Sequence, residues 1–191
     1  MANRSPSSPA SHFHLLRQHS LGEEHRPLIV FTPKSMLKRK EAASQPADFT
    51  TGTFATVLGD PGIKGTSLDT AGVKRVLLCS GKVFYDLLQA RTERDITDTA
   101  IIRVEQLYPM PVEELREALA QFPNAEDFAW VQEEPANQGA WSFIALNLLE
   151  HLEGVRLRRI SRPAAAAPAV GSTKMHDVEQ AALIEAAMPQ Q

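Results

Sequence analysis

Cysteine is almost absent from this 191-residue sequence, and neither sign of charge is in excess. Cys79 is the only cysteine, so an intramolecular disulfide and a cysteine-rich zinc site are both excluded. A single thiol is typical of a protein from a reducing compartment, and we expect the cytoplasm as its location. The formal net charge is −3, so no overall basic field favours nucleic acid as a partner.

Long hydrophobic runs are missing as well. No window approaches the ~18 consecutive apolar residues that a membrane helix requires, so we expect no membrane partner. Residues Met1 to Ala10 lack the apolar core of a secretion signal. We interpret the short basic run from Lys34 to Lys40 as a solvated face rather than a binding site. Hydrophobic residues make up 43% of the sequence and charged residues 23%, which predicts a soluble globular protein.

The N-terminal quarter carries weak structural signals. Residues 1–10 are rich in Ser and Pro and are predicted to be a disordered arm. A helix is predicted over 11–20, with Ser11 as its N-cap. The proline-bounded apolar run Leu28–Phe31 predicts a buried strand, and Lys34–Glu41 a short helix. Together these segments predict a short helix–strand arm.

From residue 42 to residue 70 the pattern dissolves into Ala, Ser, Pro, Gly, Thr and Asp. This stretch is predicted to be a linker, although Phe54, Val57 and Leu58 indicate that it packs against something. After it, strands and helices alternate. The predicted strands are 74–79, 99–104, 128–132 and 155–160, and the predicted helices occupy 83–88, 111–122, 139–152 and 175–188.

The alternation after residue 70 predicts the fold class. Strands that alternate with helices form an α/β fold, a three-layer structure in which a mostly parallel sheet lies between two helix layers. In such folds, functional groups gather beyond the carboxyl ends of the strands.

Ser80-Gly81-Lys82 is the first candidate site, because it follows a predicted strand and begins a helix. Backbone N–H groups at such a point can hold an anion, but a phosphate loop needs more glycines. We favour a tight turn that is capped by Ser80. Cys79, which precedes it, is predicted to be a core thiol, since nothing marks an exposed and electropositive setting.

Glu133 and Glu134 form the second candidate. Adjacent residues of an extended chain point in opposite directions, so the two acids are not expected to act together. One of them can pair with an arginine or cap the following helix. The histidines, His12 and His14 among them, lie at spacings that do not converge on a metal ion, so no metal site is predicted.

Several segments, taken together and in order, resemble the C-terminal end of the first, decarboxylating component of 2-oxoglutarate dehydrogenase. The resemblance covers residues 11–188, and its most specific parts, Gln132–Trp141 and Ser172–Gln180, are most similar to actinobacterial members. The segments that carry it are Phe13–Arg17, Arg26–Ser35, Cys79–Leu87, Arg103–Pro109, Glu133–Trp141, Arg162–Pro163, Pro168–Gly171 and His176.

The resemblance implies a dimeric, transketolase-like enzyme of the tricarboxylic acid cycle. Such enzymes use thiamine diphosphate and magnesium to decarboxylate 2-oxoglutarate, and they pass the succinyl group to a lipoyl-bearing succinyltransferase. It further implies that 11–41 is the tail of the second thiamine-binding (pyrimidine) domain, 42–70 a linker and 71–191 the transketolase-like C-terminal domain. The family's catalytic, cofactor-binding and metal-binding residues have no counterpart here, so we expect none in this chain and no activity from it alone.

Actinobacterial members also resemble one another in a basic regulatory site for acetyl-CoA. Only Gln106 matches that pattern. The other positions carry neutral or acidic groups, which cannot form charge-assisted contacts with CoA phosphates, so we expect this regulation to be weak or absent. The aligned residues are Gln18, Thr53, Thr56, Gln106, Glu113 and Glu114.

The leading hypothesis is that the chain is a C-terminal fragment, or a separately encoded C-terminal piece, of the enzyme. It would contribute to the dimer interface and to the channel wall. The alternative is a stand-alone interaction or regulatory module that binds the full-length enzyme, suggested by the start at Met1 with a Ser/Pro arm. The fate of the decarboxylated intermediate stays open among lipoyl transfer, release as semialdehyde and carboligation.

Overall fold

Apolar runs after residue 73 form the strands of one central sheet. A computed structural model of the chain describes residues 2–23, 26–30, 33–152 and 154–189. Its strands are β1 (Asn3–Arg4), β2 (Val57–Leu58), β3 (Arg75–Cys79), β4 (Thr99–Val104), β5 (Gln106–Tyr108), β6 (Asp127–Pro135) and β7 (Leu157–Arg162).

The central sheet has five strands in the order β2-β4-β3-β6-β7. β3 pairs in parallel with β4 and β6, β6 pairs in parallel with β7, and only the edge strand β2 is antiparallel. Leu77 lies opposite Ile101 on one side and Ala129 on the other, and all three are fully buried. Burial on both faces explains why these strands are continuous apolar runs.

Helices cover both faces of this sheet. On one face Leu87 of α3 (Val83–Glu93) and Leu183 of α6 (Thr173–Ala187) share a core. On the other face Leu115 of α4 (Val112–Ala120) packs with Ile144 of α5 (Trp141–Asn147). The predicted three-layer, mostly parallel α/β fold is therefore confirmed. The helices are α1 (Pro9–Leu21), α2 (Pro46–Thr50), α3 (Val83–Glu93), α4 (Val112–Ala120), α5 (Trp141–Asn147) and α6 (Thr173–Ala187).

The prediction of a disordered arm over 1–10 is wrong for the residues that the structure describes. β1 pairs antiparallel with β5, and Ser8 is the N-cap of α1, with its side chain accepting from the N–H of Ser11. Ser11, the predicted cap, lies inside the helix. The cap is displaced because Pro9 occupies the first turn, where proline is favoured and lacks the N–H that would need a partner.

The prediction of a strand over Leu28–Phe31 is also wrong for Leu28–Val30, the part that the structure describes. Residues 26–30 pair with no strand among the described residues, and Ile29 is 75% exposed. Phe31 lies outside the described residues. An apolar run forms a strand only where a neighbouring strand accepts its hydrogen bonds and buries its side chains. The helix predicted after Pro33 is present as two 3-10 turns, Lys34–Lys38 and Lys40–Ala42.

The segment 42–70, predicted to be a linker, is structured and packs as its apolar residues indicated. It contains α2, the edge strand β2 and the buried side chain of Phe54. Asp60 then forms an ion pair with Arg91 at 2.5 Å, and both side chains are almost completely buried. This contact fastens the segment to α3. The division of the chain at residues 41 and 70 remains a prediction.

The elements differ from the predictions at other places as well. β6 continues to Pro135 instead of ending at residue 132, and the short β5 was not predicted. The helix predicted over 139–152 divides into α5 and a 3-10 turn, Leu149–His151. Pro111 is the N-cap of α4 rather than its first helical residue.

Candidate functional site

The carboxyl ends of β3, β4 and β6 meet at one edge of the sheet, as expected for parallel strands. Ser80–Lys82 follow β3, Glu105 follows β4, and Glu133 lies near the end of β6. A cleft of about 2090 Å³ opens at this carboxyl edge, and described residues between 2 and 43 also line it. Ser80–Lys82 and Gln132–Glu134 line the wall formed by the edge.

Glu133 forms an ion pair with Lys82 across the ends of β3 and β6. The side chains are 19% and 32% exposed, respectively, so the pair is partly shielded from water. Glu134 is exposed, in agreement with the expectation that adjacent acids face apart. Glu133 is therefore an anchor between two strands, and its partner is a lysine rather than the arginine that we considered.

The turn after β3 differs from its prediction in one respect. Gly81 has φ +74°, a left-handed conformation that glycine adopts without strain, and α3 begins two residues later. Ser80 does not cap the helix, because its Oγ is buried without a hydrogen-bond partner among the described residues. Cys79 is fully buried, and this burial raises the pKa of its thiol to about 12. The predicted core thiol is confirmed.

A single buried amide organises the loop between β6 and α5. The Oε1 atom of Gln132 accepts hydrogen bonds from Trp130 Nε1 at 3.0 Å and from the Trp141 N–H at 2.9 Å. Its Nε2 donates to the Gln138 carbonyl at 2.7 Å, with longer contacts to the Glu134 and Pro135 carbonyls. One side chain thus joins the strand, the loop and the helix start.

Gly139 completes this loop. It has φ +70°, and a Cβ added there would lie 2.8 Å from Gln132 Nε2 and 2.9 Å from Glu134 Cβ. The loop therefore needs glycine for its backbone conformation and for its space. Further along, Asn137 and Gln138 both donate to the Ala165 carbonyl, which ties the loop to the segment after β7.

The structure brings together some of the residues that align with the family's regulatory site. Thr56 Oγ1 donates to Glu114 at 3.3 Å, and the Thr56 carbonyl accepts the Gln106 N–H at 3.1 Å. The Gln106 side chain is buried and already bonded, accepting from Arg4 Nε at 2.8 Å and donating to the Pro109 carbonyl. Sequence reasoning missed Arg4, whose guanidinium brings a charge-assisted contact to Gln106.

The other three residues that align with the regulatory site have different surroundings. Gln18 lines the cleft, Thr53 is exposed, and Glu113 forms an ion pair with Arg116. The weak regulatory role of Gln106 and the loss of acetyl-CoA regulation remain predictions.

The described residues offer no cluster of metal ligands. They contain no group of three or more His, Cys, Asp and Glu side chains that could hold a metal. His14 Nε2 instead contacts the Asp48 carbonyl at 2.8 Å, and His176 Nδ1 lies 3.1 Å from Arg162. Of the described helices, none is long and apolar enough to cross a membrane.

Two arginines that the sequence analysis named only as part of the family resemblance make specific contacts. The Arg103 guanidinium lies 4.2 Å from the ring centre of Phe84 and donates to Ser7 Oγ. Arg162, at the end of β7, is buried and donates to Gln180 at 2.7 Å. No local signal distinguishes them from surface arginines, because their partners lie 14 to 96 residues away.

These observations define an α/β domain whose carboxyl edge carries the Lys82–Glu133 ion pair and the hydrogen-bonded loop after β6. This edge faces a wide cleft. The sequence model of the family described as 2-oxoglutarate dehydrogenase C-terminal matches residues 43–188, and the chain belongs to this family. The fold is consistent with a transketolase-like C-terminal domain.

Similar proteins support this assignment. The chain is 50% identical over 184 residues to the multifunctional 2-oxoglutarate metabolism enzyme of Mycolicibacterium vanbaalenii, covering 95% of the chain and 15% of that enzyme. It is 47% identical to the 2-oxoglutarate dehydrogenase E1/E2 component of Corynebacterium glutamicum, again covering 95% and 15%. For the E1 component of Cupriavidus necator, identity is 45% over 183 residues, covering 95% and 19%.

The chain thus spans between 15% and 19% of the length of these relatives. The resemblance predicted from the sequence is confirmed, and relatives from actinobacteria are among the matches.

Proposed function

We propose that this chain provides the C-terminal domain of a 2-oxoglutarate dehydrogenase that depends on thiamine diphosphate and magnesium. The whole enzyme would decarboxylate 2-oxoglutarate oxidatively in the tricarboxylic acid cycle. The observation that carries the proposal is the family match over 43–188, together with about 50% identity to enzymes named for 2-oxoglutarate. The cofactor and its metal would be held by the remainder of the enzyme.

The role that we propose for this domain is to support the dimer interface and the channel wall. The helix–strand arm, residues 11–41, supports this role, because it carries apolar side chains that no other described residue covers. Leu21 is 76% exposed, Ile29 75% and Leu37 77%. A group of large exposed apolar residues next to a wide cleft is typical of a surface that packs against other protein. We propose that the remainder of the enzyme covers it.

The proposed partners are the remainder of the enzyme, a homodimer mate and a lipoyl-bearing succinyltransferase. The Corynebacterium glutamicum relative is named as a combined E1/E2 component, which supports the last of these. We keep the cytoplasm as the proposed location, on the basis of the single cysteine and the kinship to metabolic enzymes.

A complementation experiment tests the proposal. The Mycolicibacterium vanbaalenii enzyme would be expressed without the region that aligns with this chain, alone and together with this chain. The assay is 2-oxoglutarate-dependent reduction of an artificial electron acceptor. We expect activity only when both pieces are present, because this chain aligns with only 15% of that enzyme and the shortened enzyme lacks the same region.

Variants of the arm make the test specific. Ile29→Asp with Leu37→Asp should weaken complementation, because both place a charge in the proposed contact surface. Val178→Asp on α6, where the native side chain is 59% exposed, is the matched control and should complement normally. Failure to complement with both pieces folded would count against the proposal. Inhibition of the intact relative by the added chain would favour a regulatory module instead.

A further inference from the structure

We propose that residues 2–11 form a detachable strap across the carboxyl edge of the sheet, latched by the buried carboxylate of Glu105. The strap comprises β1, the segment after it and the first residues of α1. In the closed position that the structure shows, it covers the turn after β3. The proposal is independent of the function assigned to the whole enzyme.

Glu105 is the central contact of the strap. Its Oε2 atom accepts a hydrogen bond from the Ser7 N–H at 2.8 Å and one from Ser11 Oγ at 2.6 Å. Glu105 is fully buried, and the two serines are 3% and 8% exposed. One carboxylate oxygen therefore fixes two points of the strap four residues apart. Hydrogen bonds that a carboxylate oxygen accepts are shorter and stronger than those between neutral groups.

Most of the remaining contacts of the strap are polar; the exceptions are the buried Ala10 side chain and the Arg4 guanidinium, which lies 5.2 Å from the ring centre of Phe54. The Ser5 N–H donates to the Glu105 carbonyl at 2.7 Å, and the Ser7 carbonyl accepts from the Tyr85 hydroxyl at 2.7 Å. Between Asn3 and Ser8 the strap offers no aliphatic or aromatic side chain except the ring of Pro6. Because water can replace each polar contact, the strap gains little from burial and depends on its hydrogen bonds.

Buried polar atoms beneath the strap are incompletely paired. Glu105 Oε1, Arg103 Nε and Ser80 Oγ have no hydrogen-bond partner among the described residues. Leaving such atoms unpaired lowers the stability of the closed position relative to an open one in which water reaches them. The hydrogen bonds to Glu105 thus hold the strap closed against the free-energy cost of these unpaired atoms. This balance favours opening of the strap as a unit.

Opening would change the carboxyl edge. Ser5 Oγ lies 3.5 Å from the position that a Cβ on Gly81 would occupy, so the strap packs directly against the turn that begins α3. Ser5, Ser7 and Lys82 all line the cleft. Release of the strap would expose this turn and widen the cleft, so the latch controls access to the edge where α/β domains place their functional groups.

Limited proteolysis of the full chain tests the latch. Trypsin cuts at Arg4–Ser5 only when the strap is open, whereas cuts at Arg75–Val76 and Arg103–Val104 report unfolding of the sheet. Glu105→Met removes both accepting contacts at similar side-chain length. We expect it to raise the rate of the first cut roughly ten- to hundredfold and to change the two sheet cuts far less. Glu134→Met, at an exposed acid of the same edge, should change none of them.

A second and a third variant keep the test decisive. Glu105→Gln retains an acceptor and should open the strap much less than Glu105→Met does. If Glu105→Met does not fold, Ser11→Ala, which removes one of the two contacts, should still accelerate the cut at Arg4–Ser5. An unchanged first cut in the folded variants would overturn the proposal, as would equal acceleration at all three sites.

Discussion

Replacing Gln132 by leucine should destabilise the domain far more than the same change at Gln138. Both residues lie in or beside the loop that joins β6 to α5, and both substitutions convert an amide into an aliphatic side chain of similar size. Gln132 is 3% exposed and bonds to strand, loop and helix. Gln138 makes one side-chain contact, to the Ala165 carbonyl at 3.0 Å in an exposed position.

The magnitude follows from the contacts of Gln132. Three of them are 3.0 Å or shorter, and the two that involve Gln138 and the Trp141 N–H contribute about 1 kcal/mol net each. The indole N–H of Trp130, which is 1% exposed, would also lose the acceptor that satisfies it, at about 1–3 kcal/mol for an unpaired buried donor. We therefore expect Gln132→Leu to lower the free energy of unfolding by about 3–5 kcal/mol and Gln138→Leu by under ~1 kcal/mol.

Urea unfolding at pH 7 measures this difference. Circular dichroism at helix wavelengths is the appropriate probe, because both tryptophans contact Gln132 and their fluorescence would change without any loss of stability. Thermal unfolding gives a second reading, in which 1 kcal/mol corresponds to about 2–4 °C for a chain of this length. Equal losses in the two variants, or a Gln132→Leu variant as stable as the native chain, would refute the role of the buried amide.

Two further predictions concern glycine and pH. Gly139→Ala should lower the free energy of unfolding, measured by urea unfolding, by at least ~1 kcal/mol more than Gly154→Ala does. Both glycines have positive φ, but a Cβ added at Gly139 would lie 2.8 Å from Gln132 Nε2, whereas one added at Gly154 would meet nothing within 4 Å. Equal losses would show that backbone strain alone is responsible. Hydrogen bonds from Arg158 are the chief cause of the lowered pKa of Asp127. The ionised Asp127 therefore stabilises the fold at pH values above the unfolded pKa of ~3.9, and this contribution is lost as the pH falls through the lower pKa of the folded state. Asp127→Asn should therefore be less stable than the native chain at pH 7 and nearly equal to it at about pH 2, and a constant difference across this range would contradict the assignment.

The strands and helices after residue 70 were predictable because their signals are local. β3 is a run of apolar residues that the parallel sheet buries on both faces, and the alternation with amphipathic helices restricts the topology to a few arrangements. The helix predicted over 11–20 is present as α1, but other predictions failed in the first 70 residues, where structure depends on distant partners. The strap is ordered by contacts to a residue 94 to 98 positions away, which no short window of sequence contains. Conversely, Leu28–Val30 has the composition of a strand but no strand partner within the described chain.

The residues of the candidate site also differ in whether their partners are near or distant in the sequence. This difference explains which of them could be recognised from the sequence alone. Gln132 satisfies its amide with groups that all lie within nine residues, so its requirements appear together in the sequence as a glutamine, a glycine and two tryptophans at fixed spacing. A motif of this kind can be recognised without a structure. Glu105 has an equally demanding environment, but its partners are two serines near the start of the chain. In the sequence it is one of 23 acidic residues, and only the fold shows that it is buried and bonded at both points of the strap. Burial of a carboxylate is costly unless hydrogen bonds compensate for the lost water, so the presence of this acid at the end of β4 is itself a reason to expect that the strap and Glu105 act together.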